Sequence, residues 1–246
     1  MIFPITAVAP AKINLFLDIL DRRSDGYHNL RSVMQTVSLC DELEFSPGGE
    51  GVSLSCNRPD VPVEESNLVV KAIELLRSEA KISPHWHVKL EKRIPMGAGL
   101  GGGSADAAAT LRELCRQLRV RASRAQLLEW GMRLGSEVPF ALAGGTALVE
   151  GRGERVLPLR TPARPFWYAL VSPPMHCPTA ELYAALPAHE QRPHPPVSTL
   201  LSALASGDLA VLGAHLFNAF EPLVFSQYPV LEESKRRLLE WGPGAR

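Results

Sequence analysis

The chain has 246 residues, 46% of them apolar and 21% charged, so it can bury a core and is neither a peptide nor a disordered tract. Lys and Arg number 26 against 26 Asp and Glu, which leaves no basic excess for bulk binding of nucleic acid or anionic membrane. Cys40, Cys56, Cys115 and Cys177 are too far apart for a C-x-x-C pair or a zinc ribbon, and no apolar run is long enough to span a bilayer.

In chain order the opening is strand-rich. Ile13, Leu15, Leu17 and Ile19 alternate after Pro10 and predict a strand within 5–20. Asp25-Gly26 marks a turn, Val33, Val37 and Leu39 a strand over 31–39, Pro47-Gly48-Gly49 another turn, and 52–56 a short strand. Ser66 or Asn67 caps a helix over 67–80, whose apolar residues fall at i, i+3 and i+4. Trp86, Val88 and Leu90 alternate as a strand ending before Pro95. A glycine run then leads into a helix over 102–118, and Ser123 caps another over 124–134. Residues 145–156 read as a hairpin. The proline-rich PLRTPARP reads as a linker, which suggests one domain over 1–156 and another over 157–246. FWYALVS (166–172) predicts a strong strand. Weaker helices follow at 179–186, 197–205, 208–216 and 229–241. PAHEQRPHPP reads as a solvated loop, not a metal site, despite His189 and His194. The fold class is α+β. The N-terminus lacks the charged segment and apolar core of a signal peptide, and the sparse cysteines suit reduced thiols, so the expected location is cytoplasmic.

The strongest chemical signal is Pro95-Met96-Gly97-Ala98-Gly99-Leu100-Gly101-Gly102-Gly103-Ser104-Ala105. A glycine costs about 0.5–1 kcal/mol relative to alanine inside a helix or strand, so such a run needs a use. The use is a backbone that approaches a ligand closely, with N–H groups aimed at an anion at the positive end of the next helix. Ser104 adds a hydroxyl for a phosphate or for phosphate-bound Mg²⁺. Gly97, Gly99 and Gly102 also spell G-x-G-x-x-G. However, a second helix follows where a dinucleotide fold would place a strand. No lysine follows the glycines, so this is not a Walker loop either.

With Pro10-Ala11-Lys12-Ile13-Asn14-Leu15, Asp25-Gly26-Tyr27-His28 and Leu134-Gly135-Ser136-Glu137-Val138-Pro139-Phe140, the glycine loop carries a resemblance to the GHMP superfamily of small-molecule kinases. Within it, the DGYH segment after AKINL is similar to the branch that phosphorylates 4-diphosphocytidyl-2-C-methylerythritol. The resemblance implies an N-terminal domain like domain 2 of ribosomal protein S5 and a ferredoxin-like C-terminal domain. It also implies a further glycine- and serine-rich segment, then a strand and helix, beyond what the chain holds, so the second domain is expected to be incomplete.

The resemblance implies roles as well. ATP is the phosphoryl donor, with Mg²⁺, and residues 95–105 hold it, Ser104 reaching the metal. Glu137 stands where the family has an aspartate that takes the proton of the acceptor hydroxyl, and Lys12 orients it and stabilises developing charge. Glutamate is one methylene longer. Tyr27 and Tyr183 flank the cytosine, His28 bonds its edge, and Asn14 and Thr179 line the substrate; Asn67 and Lys92 approach the adenosine. The bare residues leave plainer readings open: a snorkelling lysine at 12, a helix-start carboxylate at 137, ordinary packing at 183. The expected partner is a small molecule, cytidine diphosphate methylerythritol, with no nucleic acid and no membrane, in a monomer or weak homodimer. The alternatives are another GHMP kinase acting on homoserine or mevalonate, and an inactive nucleotide-binding paralogue.

Overall fold

The computed structural model describes residues 4–48, 51–81, 85–160, 165–175, 177, 179–185 and 195–240. The elements are β1 (Ile5–Arg22), β2 (His28–Pro47), β3 (Val52–Cys56), α1 (Leu68–Ala80), β4 (Trp86–Glu91), α2 (Gly102–Gln117), α3 (Arg124–Leu134), α4 (Val138–Ala143), β5 (Thr146–Gly151) and β6 (Arg155–Pro158). They continue with α5 (Thr179–Ala185), α6 (Val197–Ser206), α7 (Leu209–Ala214), β7 (Phe217–Asn218), α8 (Glu221–Gln227) and α9 (Pro229–Glu240). Packing divides the chain into two units, 1–13, 36–96 and 100–144 in the first, 14–35, 97–99 and 145–246 in the second. β1 and β2 each contribute residues to both units. This division by packing differs from the single cut at 156/157 read from the proline-rich segment.

In the first unit β4 pairs antiparallel with β2 (Leu43 opposite Leu90, Phe45 opposite Val88) and parallel with β3. Alternation sends Trp86, Val88 and Leu90 inward, and the Trp86 ring meets Phe45 edge-on at 6.3 Å. Over this face lie α1, burying Val69, Ile73 and Leu76, and α2, whose buried stripe is largely alanine and allows close approach. Asn67, not Ser66, caps α1: its Oδ1 accepts from the N–H of Val69 at 2.8 Å. Ser123 and Gln126 form a reciprocal capping box at α3.

In the second unit Leu30–Gln35 of β2 pairs antiparallel with β5, and β5 with β6. Phe16 of β1 lies opposite Phe217 of β7, their rings 5.4 Å apart. Residues 166–172 are not a strand. A strand is made by its ladder, and among the described residues nothing pairs with this segment, which leaves Trp167 93% exposed. Helices α4 and α8, which the periodicity did not announce, are only six and seven residues long.

Candidate active site

In the first unit, Lys12 on β1 and Glu137 at the start of α4 form an ion pair, Nζ to Oε1 2.6 Å. The lysine is buried along an apolar stretch and the carboxylate is 38% exposed, so the pair has one open arm. Glu137 stands at the N-cap position of α4 but makes no cap hydrogen bond, so its side chain is committed to the lysine. The glycine loop closes onto this pair. The Lys12 N–H donates to the Leu100 carbonyl at 3.0 Å. A Cβ at Gly101 would lie 3.0 Å from Lys12 Cγ and 3.3 Å from Glu137 Oε2.

Gly97, Gly99 and Gly101 have φ of 66°, 70° and 68°, while Ala98 and Leu100 between them have none in the left-handed region. That alternation is the backbone pattern from which anion nests are built, and Gly101 then opens α2. Ser104 lies in the first turn of α2, its Oγ 3.9 Å from the position of a Cβ on Gly135. Pro95 and Met96 lead in, and Ala105 is buried against the core.

Beneath the loop is a buried charge cluster that the motifs do not announce. Lys92 Nζ donates to Asp106 Oδ2 at 2.7 Å and to Asp41 Oδ2. Asp41 Oδ1 accepts the N–H groups of Arg93 and Ile94 at 2.6 and 2.8 Å. The cluster ties both ends of the loop, residues 92–94 and 106, to β2. Burial would lower the Lys92 pKa, but its two carboxylates raise it; Asp106 is pushed up to about 7 by burial against the pull of Lys92, with Asp41 adding to the rise. A signal existed in the three charged residues of mainly apolar segments, since such charges need partners. Lys92 Nζ is thus engaged by two carboxylates, and Asn67 caps α1 and donates to the Pro62 carbonyl.

In the second unit Tyr27 lies in the turn before β2, the residue 51% exposed and its ring covered on one face by the Arg152 guanidinium at 3.5 Å. His28 stacks on Tyr183 of α5, centroids 5.4 Å apart and planes at 25°, and Tyr183 meets Phe220 edge-on at 4.9 Å. Asn14 is two residues from Lys12 on β1 and shares its side of the strand. Thr179 begins α5, and its side chain lies outside the described residues. The sequence reading missed Arg152.

Residues 67–147 match the GHMP kinases N terminal domain. A crystal structure of a homoserine kinase from Cytophaga hutchinsonii superposes with a TM-score of 0.67 at 19% identity over 97% of this chain and 79% of its own, which shows the fold alone. These findings give the chain the fold of the GHMP kinases. Curated 4-diphosphocytidyl-2-C-methyl-D-erythritol kinases are more similar: that of Pelotomaculum thermopropionicum is 45% identical over 97% of this chain and 83% of its own length, and that of Brevibacillus brevis 38% over 97% and 82%. A crystal structure of a 4-(cytidine 5'-diphospho)-2C-methyl-D-erythritol kinase matches with a TM-score of 0.78 at 35% identity, covering 96% of this chain and 83% of that one. The chain belongs to the 4-diphosphocytidyl-2-C-methyl-D-erythritol kinase family. Among the described residues no helix is long and apolar enough to cross a membrane.

Proposed function

We propose that the protein transfers the γ-phosphate of ATP to the 2-hydroxyl of 4-(cytidine 5'-diphospho)-2-C-methyl-D-erythritol. Family membership supports the reaction, and the observation that carries the residue roles is the Lys12–Glu137 pair packed against Gly101 of an anion nest. Phosphoryl transfer asks little covalent chemistry of a protein; it asks for positioning and for charge where charge develops. The loop 95–105 holds the phosphates on its N–H groups at the N-terminus of α2. Glu137, the open arm of the pair, accepts the proton of the acceptor hydroxyl, and the Lys12 ammonium stabilises the oxygen as it becomes negative.

The described residues contain no group of three or more His, Cys, Asp or Glu side chains able to cage a cation. Mg²⁺ would be carried on phosphate oxygens, with the Ser104 hydroxyl as the protein's contribution, and would neutralise charge between the phosphates. Tyr27 stacks the cytosine on its open face, His28 bonds the base edge with Tyr183 backing its ring, and Asn14 and Thr179 complete the substrate contacts. The reading takes the enzyme as cytoplasmic, a monomer or weak homodimer, with neither nucleic acid nor membrane as partner.

The test is ADP release from Mg·ATP with and without the cytidine diphosphate methylerythritol, beside homoserine and mevalonate as acceptors. Release should depend on the cytidine substrate and fall about 10²- to 10⁴-fold in Glu137→Gln and in Lys12→Met. Full activity in Glu137→Gln would remove the glutamate from the chemistry. Release with another acceptor alone would overturn the substrate.

A further inference from the structure

Arg152 sits at the tip of the β5–β6 hairpin, and the turn is built to hold it there. Gly151 has φ +74°, and a side chain at that position would run into the carboxylate of Glu154. That carboxylate is folded back to accept the Arg152 N–H at 2.6 Å. The register of β5 on β2 sets Gly151 opposite Leu30, so the next residue is carried past the ladder toward the turn that holds Tyr27. The guanidinium lies over the Tyr27 ring, its carbon 3.5 Å from the centroid.

The cation is otherwise poorly matched. Its nearest carboxylate oxygen, Asp25 Oδ2, is 3.8 Å from Nη1, beyond hydrogen-bond length. Asp25 is already engaged by Arg23 Nε at 3.1 and 3.2 Å and by the Tyr27 N–H at 3.1 Å. Arg152 Nε is buried with no hydrogen-bond partner. A guanidinium has five N–H donors in a rigid plane, and stacking it on a ring leaves those donors directed outward along the ring's edge. A buried donor without an acceptor is a cost that a bound acceptor removes. The base that Tyr27 is proposed to stack belongs to a nucleoside diphosphate, whose phosphate oxygens are the acceptors a guanidinium fits best.

We propose that Arg152 is a specificity residue of the Tyr27 platform: it fixes the ring, leaves one face for the cytosine, and gives its unpaired N–H groups to the diphosphate of the same substrate. The proposal rests on the assignment of Tyr27 to the base. The experiment measures kcat and KM for both substrates in the native chain, Arg152→Gln, Arg152→Lys and Tyr27→Ala, with inhibition constants for cytidine and for cytidine diphosphate.

Arg152→Gln should raise KM for the cytidine diphosphate methylerythritol about 10- to 100-fold and leave KM for ATP near its native value. The inhibition constant of cytidine diphosphate should rise in parallel and that of cytidine by much less. Arg152→Lys, which keeps the charge but not the plane, should keep part of the preference for cytidine diphosphate. An unchanged KM, or an equal loss for cytidine and its diphosphate, would overturn the proposal, the latter by reducing Arg152 to a prop for the ring. If Tyr27→Ala leaves cytidine inhibition unchanged, the platform reading fails, whereas the diphosphate contact is judged on the cytidine diphosphate ratio in the Arg152 variants. A melting curve of Arg152→Gln that overlies the native one shows that the fold is kept.

Discussion

Replacing Asp106 by asparagine should stabilise the protein, and more so as the pH rises. Lys92 is shared by two carboxylates with side chains 0% and 4% exposed, so the cluster holds one negative charge in excess. Asp41 is also held by the N–H groups of Arg93 and Ile94, which Asp106 lacks. The excess therefore falls on Asp106, whose Oδ1 is buried without a partner. Burial is the largest cause that moves its carboxyl from the ordinary 3.8 to about 7, against the attraction of Lys92. The raised Lys92 pKa belongs with its bond to Asp41 as well, so it does not make Asp106 a net stabilising partner.

The sign follows from linkage. Between pH 3.8 and about 7 the folded chain keeps a proton on Asp106 that the unfolded chain has released. Stability therefore falls as the pH rises through that window, by about 1.4 kcal/mol per unit, and levels off above it. The full cost for an isolated group is about 4 kcal/mol, an upper bound because the charged Asp106 strengthens Lys92 in return. Asparagine keeps the shape and carries no charge. Urea unfolding at pH 5 and pH 8, followed through Trp86 and Trp130 in the first unit's core, measures the gap. The variant's advantage should grow by about 2–3 kcal/mol between those pH values. A gap that does not change with pH, or a variant less stable at pH 8, would refute the reasoning.

Gly101→Ala would place a Cβ 3.0 Å from Lys12 Cγ at a φ of +68°, so kcat should fall at least about tenfold with a far smaller loss of melting temperature; steady-state kinetics beside a thermal melt separates the two. Glu137→Asp draws the carboxylate back from its 2.6 Å contact with Lys12 yet keeps its charge. It should keep turnover within about tenfold of native, far above Glu137→Gln. Ser123→Ala removes the capping box of α3 and should cost about 1 kcal/mol of unfolding free energy in urea, with kinetics unaltered.

The elements legible in the sequence were those whose signal is local. The i, i+3, i+4 stripe of 67–80 became α1, the alternation of Trp86, Val88 and Leu90 became β4, and Ser123 capped α3 as its side chain allows. FWYALVS failed because a strand needs a neighbour, and local pattern cannot supply one. Helix α4 was hidden because six residues are too few to show a period. The assignment of β1 and β2 to both units was hidden because it follows strand length, not composition. Arg152 escaped for a similar reason: only the register of β5 on β2 brings it to Tyr27.

Lys12 and Lys92 mark where reading by residue type stops. Both lie in largely apolar surroundings, and their side chains are 8% and 5% exposed. The rule that a buried ammonium needs a carboxylate applies equally to both, and both obey it. What separates them is the partner. Glu137 is 38% exposed and bonds one lysine, so its second oxygen can meet a substrate hydroxyl without opening the fold. Asp41 and Asp106 are closed in, and a proton can reach them from a substrate only by disrupting the core. A closed, buried cluster can hold a loop in place, whereas a pair with one open arm can exchange a proton. That difference is set by how β1, α2 and α4 pack, so a lysine in an apolar run identifies a candidate, and the exposure of its carboxylate decides whether the candidate does chemistry.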